Sequence, residues 1–346
     1  MGEVTVGPTR GPTMADVARL AGVSVPTVSR VINDADHVTP EKRARVREAI
    51  ERLRYRPSAA ARTLASRQSR TIAVVAGDTM QYGYAATIRG IEEAARADGF
   101  AVTITVIDSA DASDVSRTAA AVQGQAPAGI VVLKFDPPGV AALAELRDSA
   151  PIVAVSGVRG RDVPQAVLDE LHAAQALTAH LLELGHATVH HVRVPPSRKE
   201  DGRTTGWRAA LRAAGAEIPA TYDASWDPES GREIGHRIAE DAHVTAVFCG
   251  NDEIAMGVIK GLTERGLTVP DDVSVAGFDD HPLAAVWNPA LTTARQDFVA
   301  LGRRAYGLLR SAISGDESAR WSSERPPVIV RESTGPAPGK RRTPLS

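Results

Sequence analysis

The stretch Gly22–Asn33, GVSVPTVSRVIN, sets a proline just inside a run that otherwise has helical periodicity. Proline is tolerated in a first helical turn because the N–H groups there have no intrahelical acceptor. The reading is therefore a helix that opens at Val25–Pro26 with Ser24 as its N-cap. Since Pro26 cannot donate, the cap is expected to reach the N–H of Thr27. Val28, Val31 and Ile32 fall on one face, and Val25, Pro26, Thr27, Ser29 and Arg30 on the other. Upstream, Thr13 precedes Asp16 by the three residues of a capping box, and Gly22 suits the end of that helix. Downstream, Thr39 and Pro40 offer a cap and a first residue for a third helix, which runs to about Arg54.

Two short helices across a tight AGVS turn, with a third to pack on them, make a helix-turn-helix unit. Such a unit lays its second helix in the DNA major groove. Arg30 carries a donor fork that fits guanine, whereas Val25 and Pro26 offer only apolar contact, for example to a thymine methyl. Ser29, Thr27 and the helix N-terminus suit phosphate oxygens. A purely structural three-helix bundle has the same local pattern, and the charge distribution bears on that choice. Residues 1–70 hold 13 Lys and Arg against 7 Asp and Glu, a net of +6, while the rest hold 27 against 35, a net of −8. A basic head on an acidic body fits a polyanionic partner at one end of the chain.

The run MADVARLAGVSVPTVSRVIN, continued by VTPEKRARVREAIERLRYRPSAAARTLASRQSRTIAVV, resembles the lac-repressor (LacI-type) family of transcription regulators. The resemblance implies DNA contacts from Thr13, Ser24, Val25, Pro26, Thr27, Ser29, Arg30, Asn33, Tyr55, Ser58, Ala61 and Leu64. It also implies that PSAAARTLA is a hinge that becomes helical on the operator, with Leu64 wedged into the minor groove. The residues permit this. Pro57 can open a helix and Ser58–Ala65 is alanine-rich, yet so short a helix is marginal alone. An apolar wedge between base steps is an established minor-groove device. Leu64 could also be a core leucine of a linker, although Arg62, Arg67 and Arg70 flank it.

From Thr71 on, short apolar runs (TIAVVAG, AVTITVI, GIVVL, PIVAVS, ATVHHVRV, TAVFCG, VSVAGF) alternate with helical patterns at 85–98, 175–184, 205–214, 230–240 and 252–265. That alternation predicts parallel βαβ units in a doubly wound α/β fold. Its length predicts two lobes with a ligand cleft at the carboxyl ends of the strands. The expected organisation is a disordered extension over 1–12, an all-α helix-turn-helix headpiece over 13–57 and a hinge helix and linker over 58–70. A two-lobed effector and dimerisation domain over 71–335 and a flexible tail over 336–346 complete it. The segments RGIEEAARADGF, HLLELGH, GNDEIAMGVIKGLTERGLTVPDDVSVAGFDD, PALTTARQDF and VRESTG extend the resemblance to a periplasmic-binding-protein-like body.

Carried over residue by residue, the resemblance implies effector contacts from Asp78, Tyr84, Arg203, Trp207, Asn251, Asp279, Gln296 and Phe298. Planar Asp, Asn, Gln and Arg groups beside an aromatic face suit a sugar. Tyr82, Tyr84, Trp207 and Trp226 are candidate faces. Trp207 reads equally as a core aromatic behind Arg203, Asp279 has a strand-end hydrogen bond as its rival reading, and Asp280 reads as a loop support. Two segments depart from the family pattern. QYGY stands where many members have Asn-Pro-Phe-Phe, so that Tyr84 alone is expected to stack there. Ser156 and Gly157 stand in place of an Asp-Arg pair. SWDPESG and the aromatic supply favour a mono- or disaccharide, with a β-linked disaccharide the specific expectation.

The partners expected are double-stranded DNA at a palindromic operator, a small-molecule effector and a second copy of the chain. One headpiece reads one half-site, and the tail has no leucine heptad, so a homodimer is expected. Composition is that of a globular protein, 43% hydrophobic and 24% charged, with one cysteine, Cys249, in an apolar run. No apolar run reaches membrane-spanning length and no secretory signal is visible, so a cytoplasmic, nucleoid-associated location is expected. No metal cluster, phosphate loop, cofactor fingerprint or catalytic triad is expected, and the chain reads as a regulator rather than an enzyme. His190–His191 read as core or edge histidines, and His180 and His186 as cations at a helix end. The rival readings are a co-repressor-dependent regulator sensing a nucleobase or other metabolite, and a sugar-binding protein without a DNA role.

Overall fold

The structure is a computed structural model that describes residues 12–32, 38–55, 69–195, 201–316 and 320–339. Asn33, Ser58, Ala61, Leu64 and most of the expected hinge lie outside the described residues. The chain divides into two compact units, Met1–Ser69 and Arg70–Ser346.

In the first unit, helices α1 (Met14–Ala21), α2 (Val25–Ile32) and α3 (Pro40–Leu53) enclose a small core of Val17, Ala18, Ala21, Val28, Val31, Val46, Ala49 and Tyr55. The capping box at Thr13 forms as expected, and α1 ends where Gly22 turns left-handed at φ 60°. The cap of α2 differs from expectation. The Thr27 N–H donates to the main-chain carbonyl of Ser24 at 2.9 Å, and the Ser24 hydroxyl lies 2.9 Å from the Thr27 hydroxyl instead. Thr39 holds the N-cap position of α3 but makes no side-chain cap bond.

The second unit has two lobes. The first is a six-stranded parallel sheet in the order β11 (Trp321–Glu324), β5 (Gln165–Leu168), β4 (Ile152–Ser156), β3 (Gly129–Leu133), β1 (Thr71–Ala76), β2 (Ala101–Val106). The runs TIAVVA, GIVVL and IVAVS are almost wholly buried because both sheet faces are covered. Ile72, Val74 and Ala76 turn toward α4 (Tyr82–Ala97) and α11 (Phe298–Ile313). Ala73 and Val75 turn toward α5 (Ala112–Gly124) and α6 (Pro137–Leu146). Edge strand β2 leaves Ile104 and Val106 exposed.

The second lobe is a parallel sheet in the order β7 (Tyr222–Asp223), β6 (His190–Arg193), β8 (Ala246–Cys249), β9 (Ser274–Ala276). Helices α9 (Pro228–Glu240) and α10 (Asp252–Glu264) cover one face, and α7 (Glu170–Glu183) and α8 (Gly202–Ala214) the other. A short antiparallel pair, β10 (Thr293–Ala294) with β12 (Val328–Ile329), lies beside it. The chain passes between lobes three times, after β5, after β10 and after β11. β5, β11 and helices α5, α6 and α11 belong to the fold but were not among the elements read from the sequence.

Several side chains revise the sequence reading. His180 and His186 are not poised as cations, since burial lowers both pKa values. His186 instead ties Thr245 and Ser274 to the carbonyl of Gly335. His191 is a satisfied core histidine, as read, between the Phe248 carbonyl and the Thr204 hydroxyl, and burial lowers its pKa to about 4. The expected tail is anchored further than position 336, because the Ala337 N–H donates to the Leu184 carbonyl. Among the described residues, no helix is long and apolar enough to cross a membrane, and no group of three or more His, Cys, Asp or Glu could hold a metal ion.

Candidate functional site

In the first unit, burying Val28 and Val31 turns the opposite face of α2 outward. Val25, Pro26 and Arg30 are exposed there, and Thr27 and Ser29 are half-buried beside them. Arg45 of α3 fixes the helix-turn-helix angle by donating through Nη2 to the carbonyls of Ala21 and Gly22, the free end of α1. Tyr55 is 8% exposed within the core of this unit, which removes it from the exposed face.

In the second unit, a cleft opens between the lobes at the carboxyl ends of the strands, where ligands enter doubly wound sheets. Each wall comes from a residue just past a strand or at the start of a helix. Lys134 and Phe135 follow β3, Ser156 ends β4 and Gly157 follows it, Glu170 opens α7, and Asn251 caps α10 through the N–H of Ile254 at 2.9 Å. Tyr82, Tyr84, Phe135, Trp226 and Phe298 supply aromatic surface. Tyr82 meets Phe298 edge-on at 5.7 Å and His281 at 4.9 Å, so the aromatic wall joins the two lobes. Tyr84 therefore does not stand alone. It is turned inward, edge-on to Phe135 at 5.2 Å, and donates its hydroxyl to Asp136. Burial and the Asp136 carboxylate raise its pKa.

Arg203 forms the polar floor. Its Nη2 donates to Glu170 Oε1 at 2.9 Å and lies 3.5 Å from Asp279 Oδ1, its Nη1 donates to the Gly250 carbonyl, and its guanidinium covers the Phe278 ring at 4.6 Å. Burial opposes its charge, but Glu170 and Asp279 outweigh that and raise its pKa. Asp279 sits at φ 112°, an unusual backbone for a residue with a Cβ. Burial lifts its carboxyl to about 7, helped by Glu170 and Glu253 and resisted by Arg203 and by the amide of Gln296. That amide donates to Asp279 Oδ1 at 2.6 Å, while Gln296 Oε1 is buried without a partner. Asp280 supports the loop as expected, through Arg295 and Arg331 at 2.6 Å each.

Five of the eight effector positions expected from the sequence line the cleft: Tyr84, Arg203, Asn251, Asp279 and Phe298. Gln296 stands behind Asp279. Asp78 does not line the cleft but accepts from the N–H groups of Met80 and Gln81 at the entry to α4. Trp207 is fully buried and donates to the Val189 carbonyl at 2.8 Å, so it is the core aromatic. The sequence reading missed Glu170, Lys134, Asp201 and Glu253. Their one shared signal is position, each lying next to a strand end or helix start.

A helix-turn-helix head followed by a two-lobed body with an interlobe cleft defines a ligand-responsive DNA-binding regulator. The pattern of the bacterial regulatory proteins, lacI family, matches residues 13–58, and that of the periplasmic binding protein-like domain matches residues 178–334. The HTH-type transcriptional repressor PurR of Serratia proteamaculans is 33% identical over 335 residues, 94% of this chain and 98% of that one. Catabolite control protein A of Priestia megaterium is 31% identical over 303 residues, 86% and 91% of the two chains. Among solved structures, a lac repressor dimer bound to operator and the anti-inducer ONPF matches with a TM-score of 0.87 at 26% identity, covering 94% of this chain and 100% of that one. A transcriptional regulator CelR–cellobiose complex matches with a TM-score of 0.69 at 29% identity, covering 93% and 99%. The chain belongs to the lacI family of bacterial regulatory proteins and is a DNA-binding transcriptional repressor, with DNA and a small molecule as its partners.

Proposed function

We propose that this repressor is a homodimer released from a palindromic operator by a sugar, with a mono- or disaccharide as effector. The observation that carries the effector class is the cleft itself. Aromatic faces from Tyr82, Phe298 and Trp226 stand beside fixed planar acceptors on Glu170 and Asp279, the pairing that C–H faces and hydroxyls of a sugar ring require. The cellobiose complex of a 29% identical regulator supports the same class. In this reading the remaining lone pairs of Asp279 and Glu170 accept effector hydroxyls, Asn251 adds an amide, and Arg203 holds the carboxylates in place.

On DNA, Arg30 reads a base edge, Val25 and Pro26 make apolar contacts, and Thr13, Ser24, Thr27 and Ser29 position the head on phosphates. Asn33 joins them from the headpiece, and Ser58, Ala61 and Leu64 through the hinge, with Leu64 as wedge. Residues 13–57 serve as headpiece, 58–70 as hinge and 71–335 as effector and dimerisation body, in the cytoplasm on the nucleoid. A relative crystallised as a dimer on its operator supports the dimer, as do exposed apolar side chains at Ile104, Val106, Leu283 and Val286. The mechanism is a population shift, in which a ligand favouring one lobe arrangement weakens DNA binding by its differential affinity.

The test is a fluorescence-anisotropy titration of a selected palindromic operator, repeated with mono- and disaccharides. Release by one sugar supports induction. Tighter binding with a nucleobase or other metabolite replaces it by co-repression, and operator binding indifferent to every sugar overturns the sugar effector.

A further inference from the structure

We infer that the cleft excludes anions, and that its effector is an uncharged or amine-bearing carbohydrate rather than a sugar phosphate or sugar acid. The carbohydrate half of this inference rests on the reading above, whereas the charge half rests on the cleft alone.

Recognition of a phosphate or carboxylate needs a free guanidinium fork, an excess of positive charge or uncapped helix N-termini. The fork is already engaged. Arg203 gives Nη2 to Glu170 at 2.9 Å with Asp279 Oδ1 at 3.5 Å, gives Nη1 to the Gly250 carbonyl, and lays its face on Phe278. The charge balance is also unfavourable to anions, since Glu170, Asp201, Glu253 and Asp279 line the cleft against Lys134 and Arg203. Three of the helix starts around it are occupied by the chain's own acceptors, while α4 enters the cleft at Gln81 with no side-chain cap bond, the Asp78 carboxylate there taking the N–H groups of Met80 and Gln81. Asp136 takes the Gly139 N–H at 2.7 Å, Asp201 the Thr204 N–H at 2.7 Å and Asn251 the Ile254 N–H at 2.9 Å. At Gly157 a Cβ would meet the Glu170 carboxyl at 2.3 Å, so the missing side chain makes the room that brings this acid to Arg203.

The raised pKa values of Glu253 and Asp279, both due first to burial, fit a site where one more negative charge is opposed. A neutral hydroxyl or an ammonium group meets the opposite situation, because these carboxylates present acceptors to it.

Two measurements on the full chain test the inference. Calorimetric titrations compare cellobiose with cellobionate and cellobiose 6-phosphate, and glucose and glucosamine with gluconate and glucose 6-phosphate. The uncharged or amine-bearing members are expected to bind, and their anionic counterparts at least tenfold more weakly. An anionic member binding as tightly as its parent overturns the inference.

The second measurement needs no effector. Thermal unfolding in inorganic phosphate is compared between wild type and Glu170→Gln/Asp279→Asn, or Asp279→Asn alone should the double variant not fold. Freeing Arg203 is expected to make the variant the more strongly stabilised by phosphate. The headpiece is unchanged, so its own phosphate binding is common to both. Equal phosphate dependence overturns the inference. If no carbohydrate of any charge binds but the phosphate difference appears, the sugar reading fails and anion exclusion stands.

Discussion

Gly157 and Glu170 share one space, since a Cβ at position 157 would lie 2.3 Å from the Glu170 carboxyl. That carboxyl is the partner of Arg203, so the glycine just past β4 sets the polar floor of the cleft. Gly157→Ala is expected to push Glu170 off the guanidinium and to destabilise the body by about 1–3 kcal/mol, the usual range for overpacking. Effector affinity should fall with it, while operator binding without effector is kept. Melting curves together with effector titrations check this, and an unchanged effector affinity would separate Glu170 from recognition.

Asp279 gives the effector response a pH dependence. Its carboxyl, raised to about 7 first by burial, is ionised above that pH and protonated below it. Only the ionised form offers all its lone pairs to hydroxyl donors, so effector affinity is expected to decline below pH 7, approaching tenfold per unit, and to level off above it. Stability moves the other way. A carboxyl with a raised folded-state pKa contributes stability that is complete below its ordinary value near 4 and is lost as pH rises through about 7. Asp279→Asn should flatten both profiles, which calorimetry and thermal melts between pH 5 and 8 measure.

The sequence carries some of this site openly and hides the rest for physical reasons. TIAVVA, GIVVL and IVAVS are legible as strands because a parallel sheet covered on both faces leaves no polar alternation. QAVL is not, because four residues led by a glutamine are too short a run to stand out, and its place as a strand depends on pairing with β4 on one side and with Trp321–Glu324, supplied about 150 residues later, on the other. Glu170 escapes notice because an acid in the first turn of a helix is ordinary. Its role appears only once Gly157 and Arg203 are brought beside it. Ser156 and Gly157 are legible as departures from a family pattern, yet nothing local tells what fills the space they leave.

Trp207 tests the boundary between core and cleft. It is fully buried against His191 at 5.2 Å and donates to Val189. Trp207→Phe removes that hydrogen bond and leaves a small void, so the body is expected to lose about 1–3 kcal/mol. The ranking of effectors should not change, because no atom of Trp207 lines the cleft. A changed ranking, read by titrating the same sugar panel, would return Trp207 to the ligand.

Arg30 and Arg45 are two arginines of one headpiece with opposite expected signatures. Arg30 is exposed on the outward face of α2, whereas Arg45 is turned onto the carbonyl end of α1. Arg30→Ala is expected to cost about 1–3 kcal/mol on the preferred operator and to relax discrimination at one base pair, with little change in headpiece melting. Arg45→Ala leaves two carbonyls without their charged donor, destabilising the headpiece by about 1–2 kcal/mol. Its DNA affinity should then fall by a similar factor on every sequence, with the base preferences intact. Binding to an operator library, paired with headpiece melting, separates the two patterns. Uniform loss for Arg30→Ala would make it a phosphate contact, and altered base preference for Arg45→Ala would mean that the helix angle it sets contributes to sequence reading.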